Sequence, residues 1–360
     1  ERHCVGFDRF ERYLLGAADG CPKTPEWAER LSEIPAAAIR ALARRMAARR
    51  TLINVNYALQ RVEHGEQAPW LAVTLASMLG QIGLPGGGFG QGYGSLGYIG
   101  RAPLRVGPPT LPQGENPVRT FIPFARVADM LLHPGEPFDF DGQRLVYPEI
   151  RLVYWCGGNP FHHHQHLARL RQALARPQTI VVHEAFWTPM ARHADVVLPA
   201  SMTLERNDIG GSPNDACLIA MRQAVAPWGE ARSDFAIFAD LAASLGVAPR
   251  FTEGRDEMAW LRHLYNGWRA RVAADGGSAP PFDDFWAAGF LEVPGVDDDL
   301  VLFKQFRADP GGKALGTPSG RIEIFSATVD GFRYADCPGH PTWLEPTEWL
   351  GAPLARPYPL

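Results

Sequence analysis

The sequence has no run approaching the roughly 20 apolar residues that cross a bilayer, because its longest candidates are broken by Gln, Glu or Arg. A membrane span is therefore excluded. Cysteine is scarce and scattered, with five residues at 4, 21, 156, 217 and 337 and no CxxC pair. That count and spacing argue against a disulfide framework and a closed structural zinc site, and they fit a reducing compartment. Charge of one sign is also lacking: 35 Lys+Arg stand against 39 Asp+Glu, a formal net charge of -4. No field draws in a polyanion, so nucleic acid is not an expected partner. The chain carries neither GxGxxG nor a P-loop, no HExxH, no nucleophile elbow and no paired acidic motif of the glycosidase kind. It opens without Met and without a basic segment followed by an apolar one. A piece of a longer protein is expected, with any export signal on the part that precedes it.

What is present is the composition of a folded chain with a sizeable core, 46% hydrophobic and 21% charged over 360 residues. Two domains are a better prior than one at this length. Helices are expected after Thr24-Pro25 and over 35–49, a buried strand over 51–56, and a further helix over 69–79. Residues 80–100 are saturated with glycine, and 101–117 read as an extended crossing. Beyond Pro137 the pattern alternates: strand 149–156, helix 163–175, strand 179–182, short helix 187–194, strand 195–199, helix 233–245. Strand and helix in alternation predict right-handed crossovers, hence an α/β fold of Rossmann-like parallel sheets with flanking helices. Helices over 257–274 and 283–288 and a strand over 320–325 complete the expected elements.

The segment WCGGNPFHHHQH, 155–166, stands at the carboxyl end of an expected parallel strand, where open α/β sheets bind ligands. Glycines 157 and 158 would let backbone amides approach a phosphate, and the following helix N-terminus favours an anion. The same residues are equally those of a plain strand-to-helix turn capped by Asn159. Four histidines fall within 162–166. Successive side chains at a helix start diverge, so they cannot converge on one ion, although His162 and His166, four apart, could. The next strand ends in His183-Glu184, and an acidic residue there suits a ribose diol or a guanine N–H edge. The third ends in a polar cluster that includes Glu205, Arg206, Asn207 and Asp208. Three polar strand ends make one shared site. Arg61, after Asn56-Tyr57-Ala58-Leu59-Gln60, offers a fork of donors for an oxyanion, or else a surface ion pair with Glu63 or Glu66.

Six segments together carry a family resemblance: LINVNYALQRVEHGEQ, LASMLGQIGLPGGGFG, WCGGNPFHHHQHLARL, VVHEAFWTPMARHADVVLPASMTLERNDI, GEARSDFAIFADLA and TPSGRIEIFS. The chain resembles the dimethyl sulfoxide reductase family of molybdopterin oxidoreductases, and within it is most similar to the biotin sulfoxide and trimethylamine N-oxide reductases. The resemblance implies two α/β domains of a multidomain molybdoenzyme about twice this length, whose missing parts supply the molybdenum ligand and a C-terminal dinucleotide-binding domain. No metal ligand is therefore expected here, and no turnover by this chain alone. A first α/β domain with the Gly-rich loop is expected over 1–140 and a Rossmann-like dinucleotide-binding domain over 141–250. A helical extension with a return strand would follow over 251–335, and a linker over 336–360.

The implied cofactor is molybdenum bis(molybdopterin guanine dinucleotide), and the implied reaction is oxygen-atom transfer from an S-oxide or N-oxide, two electrons and two protons returning the oxygen as water. Gly158, Asn159, His163 and Thr188 correspond to dinucleotide contacts. His183 and Glu184 match a strand-end pair that reads guanosine, where the family commonly has Ser-Asp or Asp-Pro. Arg206 and Asp234 fall at a basic and an acidic cofactor contact, and Gln60 at a pterin contact. Arg61 matches an arginine facing the oxo-group end, and Tyr57 stands where close relatives have a Trp near the active-site funnel, which makes these two the catalytic candidates. Alternatives are a non-catalytic nucleotide-binding or assembly module, and a formate dehydrogenase or nitrate reductase relative, which HHHQ and LERND lean against. The resemblance leaves open whether a donor protein or NADPH supplies electrons. The segments 251–266 and 336–349 favour the biotin sulfoxide type, hence the cytoplasm, with the periplasm as the alternative.

Overall fold

The computed structural model describes residues 2–93, 104–293, 300–349, 351–353 and 357. The chain divides into two compact units, 1–102 with 297–360, and 103–296. Part of the expected glycine-rich loop, 94–100, lies outside the described residues, as do the first three residues of the expected crossing. The rest of that crossing, 104–117, contains no helix or strand.

In the first unit the helix Pro25–Ser32 begins where its sequence signal stands: Thr24 accepts from the Trp27 N–H and Pro25 takes the first helical position. The helix Ala36–Ala48 lies against Pro25–Ser32, and Gln67–Met78 lies against a short parallel pair, Leu52–Val55 with Gly88–Gln91. The return strand is shorter than expected, only Ile322–Glu323, because its parallel partner is the two-residue strand Cys4–Val5. Phe10, Tyr13 and Ile324 form the buried cluster beneath it.

The second unit is built on a parallel sheet of three strands, Leu152–Cys156, Thr179–Glu184 and Val196–Pro199, in that spatial order. The helix Leu167–Leu174 crosses from the first to the second strand and buries Leu170, Ala173 and Leu174 against Ile180 and Val182. This is the α/β architecture expected from the alternation. The expected helix over 163–175 is corrected at its start, since its first residue is Leu167. His166 is its cap at φ 52, with ring Nδ1 accepting from the Arg169 N–H. The helix expected over 187–194 is reduced to one 3-10 turn, Ala191–His193, because Pro189 disfavours helical backbone at the preceding Thr188.

A second sheet, antiparallel, joins Phe290–Glu292, Cys217–Met221 and Asp208–Gly211. Against it lies the long helix Glu257–Ala274, capped by Asp256 accepting from the Ala259 N–H. Leu218, Tyr265, Trp268 and Phe285 are its fully buried centre. Among the described residues no helix is long and apolar enough to cross a membrane.

Candidate functional site

The three parallel strands stop side by side, with Cys156 paired to His183 and Glu184 to Pro199. A fourth stretch joins this edge: Arg232 bridges Ala200, its N–H donating to the Pro199 carbonyl while the Ser201 N–H donates to Arg232. That pairing delivers Ser233 and Asp234 to the same end of the sheet. Ser233 then caps the helix Asp234–Ser244 by accepting from the Ala236 N–H. Gly158, Asn159, His163, His183, Glu184, Thr188, Arg206 and Asp234 all belong to this unit; His183 and Glu184 end its second strand and the others lie in the segments beyond the strand ends.

Gly157 and Gly158 both have left-handed backbone, φ 69 and 72, and a Cβ on either would meet nothing within 4 Å. Glycine is required there for conformation, and the loop's backbone remains open to approach. Asn159 is buried with its side chain committed to a turn: Oδ1 accepts from the Phe161 N–H, and Nδ2 lies 3.3 Å from His162 Nδ1. The histidines diverge. His163 is exposed, His164 lies on the Phe124 ring at 4.3 Å between centroids, and His166 caps its helix. Burial, then His163, lowers the pKa of His164. The helical spacing that could have joined His162 to His166 does not form, and among the described residues no three His, Cys, Asp or Glu gather as a metal set.

Glu184 is half-buried and its carboxylate has no partner among the described residues, while the adjacent Phe186 and Trp187 are exposed. Thr188 accepts from the Ala191 N–H and so opens the turn that follows. His183 is only 2% exposed. Its Nδ1 lies 2.7 Å from Asp234 Oδ1 and its Nε2 2.8 Å from the Tyr154 hydroxyl. Arg206 donates to Asp208 at 3.1 Å and, more weakly, to the Ser201 carbonyl.

Arg206 and Asp234 meet on the wall of one cavity of about 290 Å³, which Asp208, Ser233, Glu257 and Trp260 also line. Burial raises the pKa of Glu257; a hydrogen bond with Ser233 and the charge of Arg206 oppose the rise, and Asp208 adds to it. A raised carboxyl pKa means that protonated Glu257 favours the fold. This contribution is complete below the unfolded value, about 4.3, and is lost as pH rises through the higher folded value. Glu257→Gln is therefore expected to raise the thermal midpoint at pH 7 and to leave it unchanged at pH 4. A midpoint lower than wild type at pH 7 would contradict the assignment.

Tyr57, Gln60 and Arg61 belong to the first unit. The turn Tyr57–Gln60 follows its strand directly, with Asn56 Oδ1 accepting from the Tyr57 N–H at 2.7 Å. The Tyr57 ring packs over Gly92, where a Cβ would come within 2.5 Å of it and where φ is 69. Gln60 and Arg61 are exposed, and neither side chain has a partner among the described residues. The expected surface ion pair with Glu63 or Glu66 is not formed: Thr347 donates to Glu63 through its N–H at 2.7 Å and its hydroxyl at 2.9 Å, and Gln67 Nε2 donates to Glu66 at 3.1 Å.

Tyr154 and Glu257 are the site residues that sequence reasoning missed. Tyr154 had a signal: it stands two residues before the strand end, on the face that a parallel register shares with His183. Glu257 had none, since only the tertiary fold brings its helix to the strand ends.

A parallel sheet whose carboxyl ends carry an open glycine loop, an acid unpaired among the described residues and an Arg–Asp cavity is the arrangement at which open α/β folds bind their ligands. A family model for molybdopterin oxidoreductases matches residues 27–244, and the chain belongs to that family. It is 50% identical over 348 residues to a biotin sulfoxide reductase of Cereibacter sphaeroides, covering 96% of this chain and 46% of that protein. It is 47% identical to a dimethyl sulfoxide/trimethylamine N-oxide reductase of Rhodobacter capsulatus, covering 99% and 45%. A trimethylamine-N-oxide reductase of Haemophilus influenzae is 43% identical, covering 100% and 46%. The chain thus spans about half the length of the curated relatives it matches.

Proposed function

We propose that this chain is the central portion of a molybdenum-dependent oxidoreductase that binds molybdopterin guanine dinucleotide and reduces S-oxides or N-oxides in the cytoplasm. The observation that supports it most is the strand-end edge described above, in a chain 50% identical over 96% of its length to a protein named biotin sulfoxide reductase.

The residues present fit such a group. The Gly157-Gly158 backbone is open, and among the described residues the Glu184 carboxylate and the buried Ser201 hydroxyl just beyond the third strand have no partner. In this reading Gly158, Asn159 and His163 hold the phosphate-bearing part of the dinucleotide, and Thr188 lies beside it. Glu184 and Asp234 accept hydrogen bonds from base or ribose donors, and Arg206 brings the counter-charge. Gln60 meets the pterin. When bound, the cofactor supplies the two-electron chemistry of oxygen-atom transfer. The chain's own task on the substrate side falls to Arg61, whose planar fork holds an oxide oxygen and offsets charge that builds on it. Tyr57 borders that position.

Molybdenum by mass spectrometry and GMP released by acid, measured on the full-length protein, test the proposal: about one metal and two GMP per polypeptide are expected. Neither, in protein from a host able to make the cofactor, would mean that the fold serves another purpose. Within that experiment Glu184→Ala separates binding from folding. Loss of a charged acceptor weakens a ligand by roughly 10- to 100-fold, so GMP content should drop while the melting temperature stays close to wild type. Full GMP content in that variant would remove Glu184 from the site.

A further inference from the structure

We infer that His183 is a positioning residue, one that never touches the ligand and instead holds the Asp234 carboxylate in place on the wall of the nucleotide cavity, braced from behind by Tyr154. The inference rests on the nucleotide-binding reading above.

His183 itself has no surface to offer, since its ring is 2% exposed and both nitrogens are engaged within the protein. The proton positions follow from the partners. A carboxylate only accepts, so Nδ1 carries the hydrogen that goes to Asp234, and in the neutral ring Nε2 accepts from the Tyr154 hydroxyl. Burial raises the Tyr154 pKa, with Cys156 and Asp234 adding to the rise, which keeps that hydroxyl a donor. Phe238 encloses the pair, its ring centroid 5.0 Å from His183 and 5.6 Å from Tyr154. In such surroundings the two hydrogen bonds are strong and a missing partner is costly.

Asp234 is different: its side chain is 56% exposed, and it lines the cavity with Arg206. One oxygen is tied to His183, and the other has no partner among the described residues. An exposed aspartate free to rotate would have to be ordered by its ligand, and that cost is deducted from affinity. The Tyr154–His183 pair has already met it. A histidine wanted only for packing could be replaced by an apolar ring without the desolvation penalty that a buried imidazole carries. Here the penalty is offset by a connection that ends on an exposed acid.

The test is calorimetric titration of cofactor-free full-length protein with GDP, with AMP as the control ligand. Asp234→Asn and His183→Leu should each raise the Kd for GDP about tenfold, the effect typical of removing a group that orients a ligand-binding side chain. In an Asp234→Ala background, which removes the acceptor altogether, His183→Leu should cause no further loss, because His183 acts only through that carboxylate. His183→Asn, whose amide nitrogen replaces Nδ1, should recover most of the affinity. Should His183→Leu fail to fold, Tyr154→Phe removes a single oxygen; it is expected to weaken GDP about threefold and, by leaving the buried Nε2 unpaired, to lower the melting temperature by a few degrees without unfolding the protein. If wild type binds GDP and Asp234→Asn loses it, while His183→Leu or Tyr154→Phe binds as wild type, the inference falls and the nucleotide reading stands. Additive effects of His183→Leu and Asp234→Ala would overturn it equally. Wild-type protein that binds no GDP would overturn both.

Discussion

Arg61→Ala in the full-length protein is expected to lower kcat/KM for an S-oxide or N-oxide about 100-fold, the usual effect of deleting one donor aimed at developing charge. Cofactor content should not change. The expectation comes from what surrounds the residue: Arg61 leaves the turn Tyr57–Gln60 exposed, with no side-chain partner among the described residues, while the nearby Glu63 is already taken by Thr347. A guanidinium free of its acidic neighbour keeps all its donors for an incoming oxygen. Its base is firm, because Asn56 caps the turn and the Tyr57 ring closes on Gly92. Arg61→Lys separates charge from geometry. A point charge without the fork should restore roughly a tenth of the activity. Steady-state kinetics on both variants, with molybdenum counted in each preparation, check the prediction. Wild-type kcat/KM in Arg61→Ala would place the substrate oxygen elsewhere.

The two kinds of signal that were legible in this sequence are local ones. Caps announced themselves: Thr24-Pro25, Ser233 and Asp256 each begin a helix as their residue types require. So did the parallel sheet, since three apolar strands separated by crossovers admit few topologies. The Asp141-Gly142 turn was legible but unread. Its positive φ values of 49 and 70 join the hairpin Pro137–Phe140 to Gln143–Val146, and Asp-Gly is a strong sign of such a turn. What no window could show is pairing at a distance. Phe290–Glu292 enters the antiparallel sheet far along the chain from Cys217–Met221, and Cys4–Val5 finds Ile322–Glu323.

The candidate site divides along the same line. Its strand-end loops were visible as glycine, acid and polar clusters, and their convergence followed from parallel topology alone. The link from Tyr154 through His183 to Asp234 was not, because its members are 29 and 51 residues apart and only register and a helix start bring them together. The histidine run diverges as the sequence reading expected of a helix start, but the helix begins four residues later than expected: Pro160–His162 form a 3-10 turn and His166 takes a left-handed cap conformation.

The largest expected loss of stability lies away from the site, at Trp268. Trp268→Ala should cost the second unit about 4 kcal/mol, in the range for deleting a fully buried indole. Trp268 has no exposed surface and packs on Tyr265 with 5.4 Å between ring centroids; Tyr265 in turn stacks on Phe285 at 4.7 Å and 6°. The dryness of this cluster is visible in Tyr265 itself, whose pKa burial pushes up to about 12. One detail sharpens the prediction: the Trp268 Nε1–H is buried without a partner among the described residues. An orphaned donor carries a desolvation penalty of about 1–3 kcal/mol. Trp268→Phe removes that penalty along with part of the ring, so the two effects oppose each other and the variant should stay within about 2 kcal/mol of wild type. For a unit of this size a loss of about 4 kcal/mol corresponds to roughly 10 °C in melting temperature. Thermal denaturation and hydrogen exchange over 257–293 would read it, with exchange rising steeply in Trp268→Ala and little in Trp268→Phe. A loss in Trp268→Phe well above about 2 kcal/mol would contradict the prediction.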